Sequence, residues 1–382
     1  MPRIRALILP GLLAAVLASA SVTGARGQEG AWTALPLRPE TGALGIFDPS
    51  LVAGDGGRHV LSFSAVDPSG RWPEVNDRVV STYIAVSEDD GRSWRRFPRP
   101  VNAARDTGDG GQAVTWHHEV STLVHDPAAP PAQRWRLLWH HYPLIDGERR
   151  FEFGWLALKS ADTLERLFEA REVKLFIGRG YRDEAGVGPP VSGPPVLALQ
   201  ALDPELDRCV AFTEPGAFAA GGRLFLALTC AEWSPAGIRQ KVVLLRCAAP
   251  CDPERTGAWS FLGTLLRPED AARLGHRGYT AADFFLRDGR FFLLASPIED
   301  QPFPEAYNGC DVFGFEDLDK ARLLRETGGP KVLRRIRGAP GSFHGACAVS
   351  NRSGLVLLSQ LFLEDGGPRF SILQVRTPLA AE

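Results

Sequence analysis

One hairpin unit recurs five times along this chain, and that recurrence constrains its fold more than any other feature. The clearest copy is Glu214–Cys230: a short strand, a Gly221-Gly222 turn and a second strand that alternates apolar with small or polar residues. The same unit is read at Asp48–Ser64 and at Ala281–Ser296, with a looser copy at His344–Ser359. Another opens at Glu119–Asp126 and resumes at Trp135–His141 after an inserted turn rich in Pro and Ala. A third strand signal follows at 81–87, 153–160 and 241–246, and a Trp-led fourth at 94–100 and 259–268. Four antiparallel strands repeated at this period are the signature of a propeller blade. The expectation is an all-β chain forming a five-bladed β-propeller with four antiparallel strands per blade. Too few residues follow His344 for four strands. Trp32–Pro39 echoes the Trp-led strands, so the N-terminal strand is expected to complete the last blade and remove its open edge.

Composition fits this reading. The 382 residues are 44% hydrophobic and 23% charged, which excludes a disordered chain. Forty Gly and 30 Pro, without a three-residue period, exclude collagen and match many short strands joined by turns. A net charge of -2 argues against a nucleic-acid partner.

The first residues stand apart from the repeats. Two Arg in Met1–Arg5, an Ala/Leu/Ile/Val run over Ala6–Ala20 and small residues up to Gly27 have the order of a secretory signal peptide. We therefore expect a signal peptide at 1–27 and one propeller domain at 28–382. The protein would be periplasmic or secreted, monomeric, with no membrane anchor after cleavage. Export permits disulfides, and Cys247 and Cys251, flanking Ala-Ala-Pro, are the easiest of the six Cys to bridge. The other four are left unassigned.

In a propeller the first strand of each blade lines the central channel. The residues opening those strands are Asp48, Glu119, Glu214, Ala281 and His344. Carboxylates crowded at one mouth repel one another and raise a pKa, as a general acid requires. Glycoside hydrolysis needs such an acid and a second carboxylate.

At these residues the chain resembles the five-bladed propellers of glycoside hydrolase family 43 and relatives such as family 32. The resemblance implies Asp48, in Phe47-Asp48-Pro49, as base. It implies Glu214, in Thr213-Glu214-Pro215-Gly216, as acid. Glu119 falls on the position that tunes the acid, where the family has Asp. A carbohydrate substrate follows, and His344 resembles the family's His beside a central metal, which would allow Ca²⁺ in the channel.

The second repeat carries His117, His118, His140 and His141 at the same expected mouth. They read as a polar sugar-binding subsite rather than a metal centre, because neighbours along a strand point to opposite faces. Trp233 and Asp283 are further substrate-binding candidates, as is His344. Ser87–Trp94 matches the Asp-box of sialidases, a structural turn on the outer rim, and Ser160-Ala161-Asp162 begins a degenerate copy. Two other readings stay open. A sialidase would need three converging Arg and a Tyr nucleophile, for which Tyr279 and Tyr307 are available. A non-catalytic glycan-binding propeller would keep the cleft without the chemistry.

Overall fold

The computed structural model describes residues 31–37, 43–68, 78–106, 114–181, 193–235, 237–299, 307–338, 343–364 and 367–377. The expected signal peptide lies outside them. The chain is nearly all β, with one short α-helix, Pro268–Arg273, among the described residues. No helix there is long and apolar enough to cross a membrane.

Antiparallel pairing sorts the main strands into five consecutive groups. The first is Gly45–Ala53, His59–Pro68, Arg78–Ser87 and the short Arg95–Arg96. The second is Val114–His125, Trp135–Ile145, Trp155–Ala161 and Val173–Ile177. The third runs Cys209–Ala220, Arg223–Ser234, Gly237–Cys247 and Trp259–Leu266. The fourth runs Gly278–Arg287, Arg290–Ile298, Cys310–Asp317 and Val332–Ile336. The fifth has Phe343–Val349, Leu355–Glu364 and Gly367–Arg376, and Thr33–Ala34 pairs with its last strand. Trp32 adds a hydrogen bond from Nε1 to the Arg337 carbonyl at 2.9 Å.

Each group's first strand packs against the first strand of the next group, and the fifth packs back on the first. Hydrophobic cores fill the spaces between neighbours. Leu224, Leu226 and Leu228 face the second group's Leu138 and Leu156. The intervening Phe225 and Ala227 face the fourth group's Phe284 and Leu293. A strand residue and its successor therefore enter different cores, and both faces are dry. The small and polar positions that alternate with the apolar ones in the second strands are therefore buried as well, Ser62, Ser64 and Thr229 among them. Further cores join groups one and two, four and five, and five and one.

Turns are local and legible. Asp288-Gly289 and Gly221-Gly222 carry two successive positive φ values, the requirement of the tight two-residue hairpin turn. Ser87–Trp94 folds around Asp89, whose carboxylate accepts from the Ser93 amide at 2.8 Å and hydroxyl at 2.6 Å. Those hydrogen bonds lower its pKa to about 2. Trp94 is buried in the core between groups five and one. All six Cys are paired: Cys247–Cys251 as expected, Cys209–Cys230 across the third group's first hairpin, and Cys310–Cys347 between groups four and five.

Candidate active site

One irregularity recurs in every first strand and positions the site. Asp48, Val120, Glu214, Ala281 and Ala346 have φ values of 51°, 49°, 51°, 46° and 49°, and the pairing register shifts at each. Each strand thus carries a bulge with a left-handed residue, a device that re-aims side chains. The bulge corrects the sequence alignment of the repeats. Asp48 and Glu214 occupy equivalent bulge positions. Glu119 precedes its own bulge residue by one, and His344 precedes Ala346 by two. The second group places Val120 where the first and third place carboxylates. Left-handed backbone disfavours a β-branched residue, so strain is held beside the cleft at Val120.

Glu214-Pro215-Gly216 has a packing logic beyond its acid. A Cβ on Gly216 would lie 1.9 Å from the Ala282 carbonyl oxygen, so only glycine lets these first strands approach.

A second regularity involves hydroxyls. In four of the five hairpins the second strand carries a hydroxyl, Ser64, Thr229, Ser296 or Ser359, opposite the residue that precedes the bulge. Ser64 accepts a hydrogen bond from the Val120 amide at 3.3 Å, Ser296 from Ala346 at 2.8 Å and Ser359 from Asp48 at 2.8 Å. A hydroxyl of one group thereby anchors the bulge of the next. Between groups three and four the pattern changes: the Ala281 amide donates to Glu214 Oε2 at 3.0 Å. In the second group His140 stands in the hydroxyl position, paired with Glu119.

A cleft of ≈ 1260 Å³ opens at this end of the first strands. Asp48, Glu119, Glu214, His140, Trp233 and His344 line it, together with Phe151 and Tyr307. Asp48 is buried and accepts from the Ser64 hydroxyl at 3.4 Å. Tyr142 donates its hydroxyl to Glu119 Oε2. Glu214 receives the Tyr307 hydroxyl at 3.1 Å on Oε1, and the Thr229 hydroxyl at 3.1 Å and the Ala281 amide on Oε2. Burial pushes its pKa up to about 7. The three donors oppose that rise, and the nearby Glu119 carboxylate adds to it.

The four His divide by strand face, as alternation requires. His117 and His140 share one face with Glu119 and Tyr142 (the His117 and Tyr142 rings are 5.3 Å apart). Burial holds both His neutral, with pKa values near 3. His118 and His141 lie on the other face among Trp116, Trp139 and Trp155. Of the four, only His140 is among the residues lining the cleft, so the structure does not gather them into one subsite. Asp283 also lies outside that lining. It retains some accessible area, yet burial raises its carboxyl to about 8, with the Phe284 amide as donor at 2.9 Å. Burial lowers the His344 pKa to about 4, helped by Arg337, leaving a neutral ring that can donate and accept.

Two places invite a metal. His118, His141 and Glu172 bring candidate ligand atoms within 4.8 Å of one another. Glu172 Oε1, however, accepts from His141 Nδ1 at 2.5 Å and from Trp155 Nε1 at 3.1 Å, which is a hydrogen-bonded network. His344 offers a ring nitrogen, whereas Ca²⁺ takes oxygen ligands.

Phe151 escaped the sequence reading, because it lies outside every repeat copy, and Tyr307, read from sequence only as an available nucleophile, reaches the cleft as a donor to Glu214.

No family model and no curated protein matches this chain. Solved structures do. A glycoside hydrolase family 32 structure from Bifidobacterium adolescentis aligns at TM-score 0.52 and 12% identity, over 91% of this chain and 56% of that one. A second glycoside hydrolase structure aligns at 0.52 and 9%, over 93% of each protein. The Bombyx mori GH32 β-fructofuranosidase aligns at 0.49 and 14%; the chain covers 60% of its length. The likeness at 0.52 is one of fold: this chain has a β-propeller-like fold similar to that of glycoside hydrolases.

Proposed function

We propose that this protein is an exported glycoside hydrolase built as a five-bladed propeller of four-stranded blades. The cyclic packing of the first strands, the cores between neighbours and the pairing of Thr33–Ala34 with the fifth group support the ring. Three disulfides and the 1–27 segment support a periplasmic or secreted location.

The observation that carries the chemistry is Glu214: a carboxyl with a pKa near 7, in a cleft shared with Asp48 and Glu119. Protonated Glu214 donates its proton to the glycosidic oxygen as the bond to the anomeric carbon breaks, and the leaving sugar departs as an alcohol. Water adds to the anomeric carbon and gives its proton to Asp48. Glu214 regains a proton from solvent and Asp48 releases one, so one water is consumed per bond. Burial keeps Glu214 protonated, Glu119, which accepts from Tyr142, adds to that, and its carboxylate stabilises the positive charge developing on the sugar ring. His140 and His344 are neutral hydrogen-bonding partners for hydroxyls.

Glu214→Gln tests this. The amide cannot protonate the leaving oxygen, and kcat on oligosaccharides should fall by roughly 10²–10⁴ with the fold retained by circular dichroism. Unchanged hydrolysis by that variant overturns the assignment.

One observation favours a second reading, a sialidase: the Tyr307 hydroxyl bonds Glu214, as a nucleophilic Tyr would bond its base. Tyr279, the other candidate, is instead buried and donates to Asp311 at 2.7 Å. Release of umbelliferone from a sialoside, lost in Tyr307→Phe, would support that reading.

A further inference from the structure

Among the described residues, the large apolar side chains exposed by more than a third are Phe151, Trp233, Ile238 and Leu324. All but Leu324 line the cleft. Exposed apolar surface gathered at a polar catalytic mouth marks a binding site rather than an incidental feature.

The three form two lips. Trp233 is 66% exposed and Ile238 53%, and they are cross-strand partners near the end of one hairpin. The Ser234 hydroxyl donates to the Gly237 carbonyl at 2.6 Å and ties that end together. Phe151, in the second group, rests on Tyr142, with ring centroids 4.6 Å apart, and on His140 at 5.7 Å. Tyr142 in turn holds Glu119. Both lips are therefore fixed to the second and third groups, the groups that carry Glu119 and Glu214. Asp48 lies on the first.

That asymmetry has a chemical direction. The acid protonates the oxygen of the leaving group, so the leaving group lies on the acid's side of the cleft and the base acts across the ring from it. We propose that the Phe151 and Trp233–Ile238 lips form a leaving-group subsite that takes a carbohydrate ring, so that the enzyme cuts bonds between sugars in a glycan. A sugar ring presents an apolar C–H face that stacks on an indole and a hydroxyl edge that needs donors. Gln240 and Arg239, next to Ile238 along its strand, also line the cleft and supply that edge. The inference rests on Glu214 being the acid.

The test compares substrates with and without a leaving ring. Wild type and Trp233→Ala are assayed on arabinotetraose, xylotetraose and an inulin-type fructotetraose, and on the glycosyl fluorides of the same sugars, where fluoride leaves. Trp233 is exposed, so the variant should fold, which its melting temperature checks. The expected result on the cleaved tetrasaccharide is a loss of at least about 10-fold in kcat/KM, with the matching fluoride within about 2-fold of wild type. Equal rates for both proteins on the tetrasaccharide overturn the subsite while leaving the hydrolase reading intact. A wild type that cleaves neither the tetrasaccharides nor the fluorides overturns both.

Discussion

Glu214 shows how one carboxyl can be set against its surroundings. Burial and Glu119 raise its pKa, while Tyr307, Thr229 and the Ala281 amide lower it, and the balance is about 7. A raised carboxyl pKa means that the folded state prefers the protonated form. This contribution to stability is complete below the unfolded value near 4.5 and is lost as pH rises through about 7. Activity that needs the acid form falls over the upper part of the same window. Tyr307→Phe removes a donor to the ionised form, so the alkaline limb of kcat/KM should move upward by about one pH unit, with hydrolysis retained. A downward shift contradicts this balance, and complete loss of turnover favours the nucleophilic role for Tyr307. Asp48 and Glu214 were legible because each opens a repeat. Glu119 was legible as a residue but not in its register, since a bulge changes the count without changing the apolar pattern. The partition of the four His followed from strand alternation, whereas which of them reached the cleft depended on the sheet's packing.

At the level of the strand, a hydroxyl and a bulge form a repeated joint. Ser296 is fully buried, and its hydroxyl accepts the Ala346 amide while lying 3.4 Å from Cys310 Sγ. Ser296→Ala strands that amide in a dry place and should cost roughly 1–3 kcal/mol of stability, measured by denaturant unfolding, with little change in the site's pH profile. A cost under a few tenths would mean that the joint is ornamental. The hydroxyls ended the repeat copies in plain sight at Ser64, Ser296 and Ser359, and Thr229 nearly so. The purpose of the three Ser was hidden because each serves the next repeat, and a pattern within one hairpin does not reveal a partner in another. The same limit governed the cysteines. Cys247–Cys251 was readable from spacing, but Cys310–Cys347 joins strands whose proximity only the assembled groups create.

Across the whole molecule the question is what keeps the five groups together. The intergroup cores repeat one solution, and the seam between the fifth and first groups uses the chain's beginning as well as its end. Leu35 and Leu37 are buried in that seam's core, the Leu35 amide donates to the Ile372 carbonyl at 2.8 Å, and Thr33–Ala34 covers the last strand. Burying each Leu contributes roughly 1.5–3 kcal/mol, so the segment supplies a sizeable share of a domain's net stability. Deleting 31–37 should therefore lower the melting temperature by several degrees or more, and Leu37→Asp should reproduce much of that loss without shortening the chain. The Cys310–Cys347 link would not compensate, because it joins groups four and five and leaves the seam between five and one to packing and pairing. If the truncated protein melts like the parent, the seam is held by other contacts and the N-terminal strand is a passenger on the fifth group.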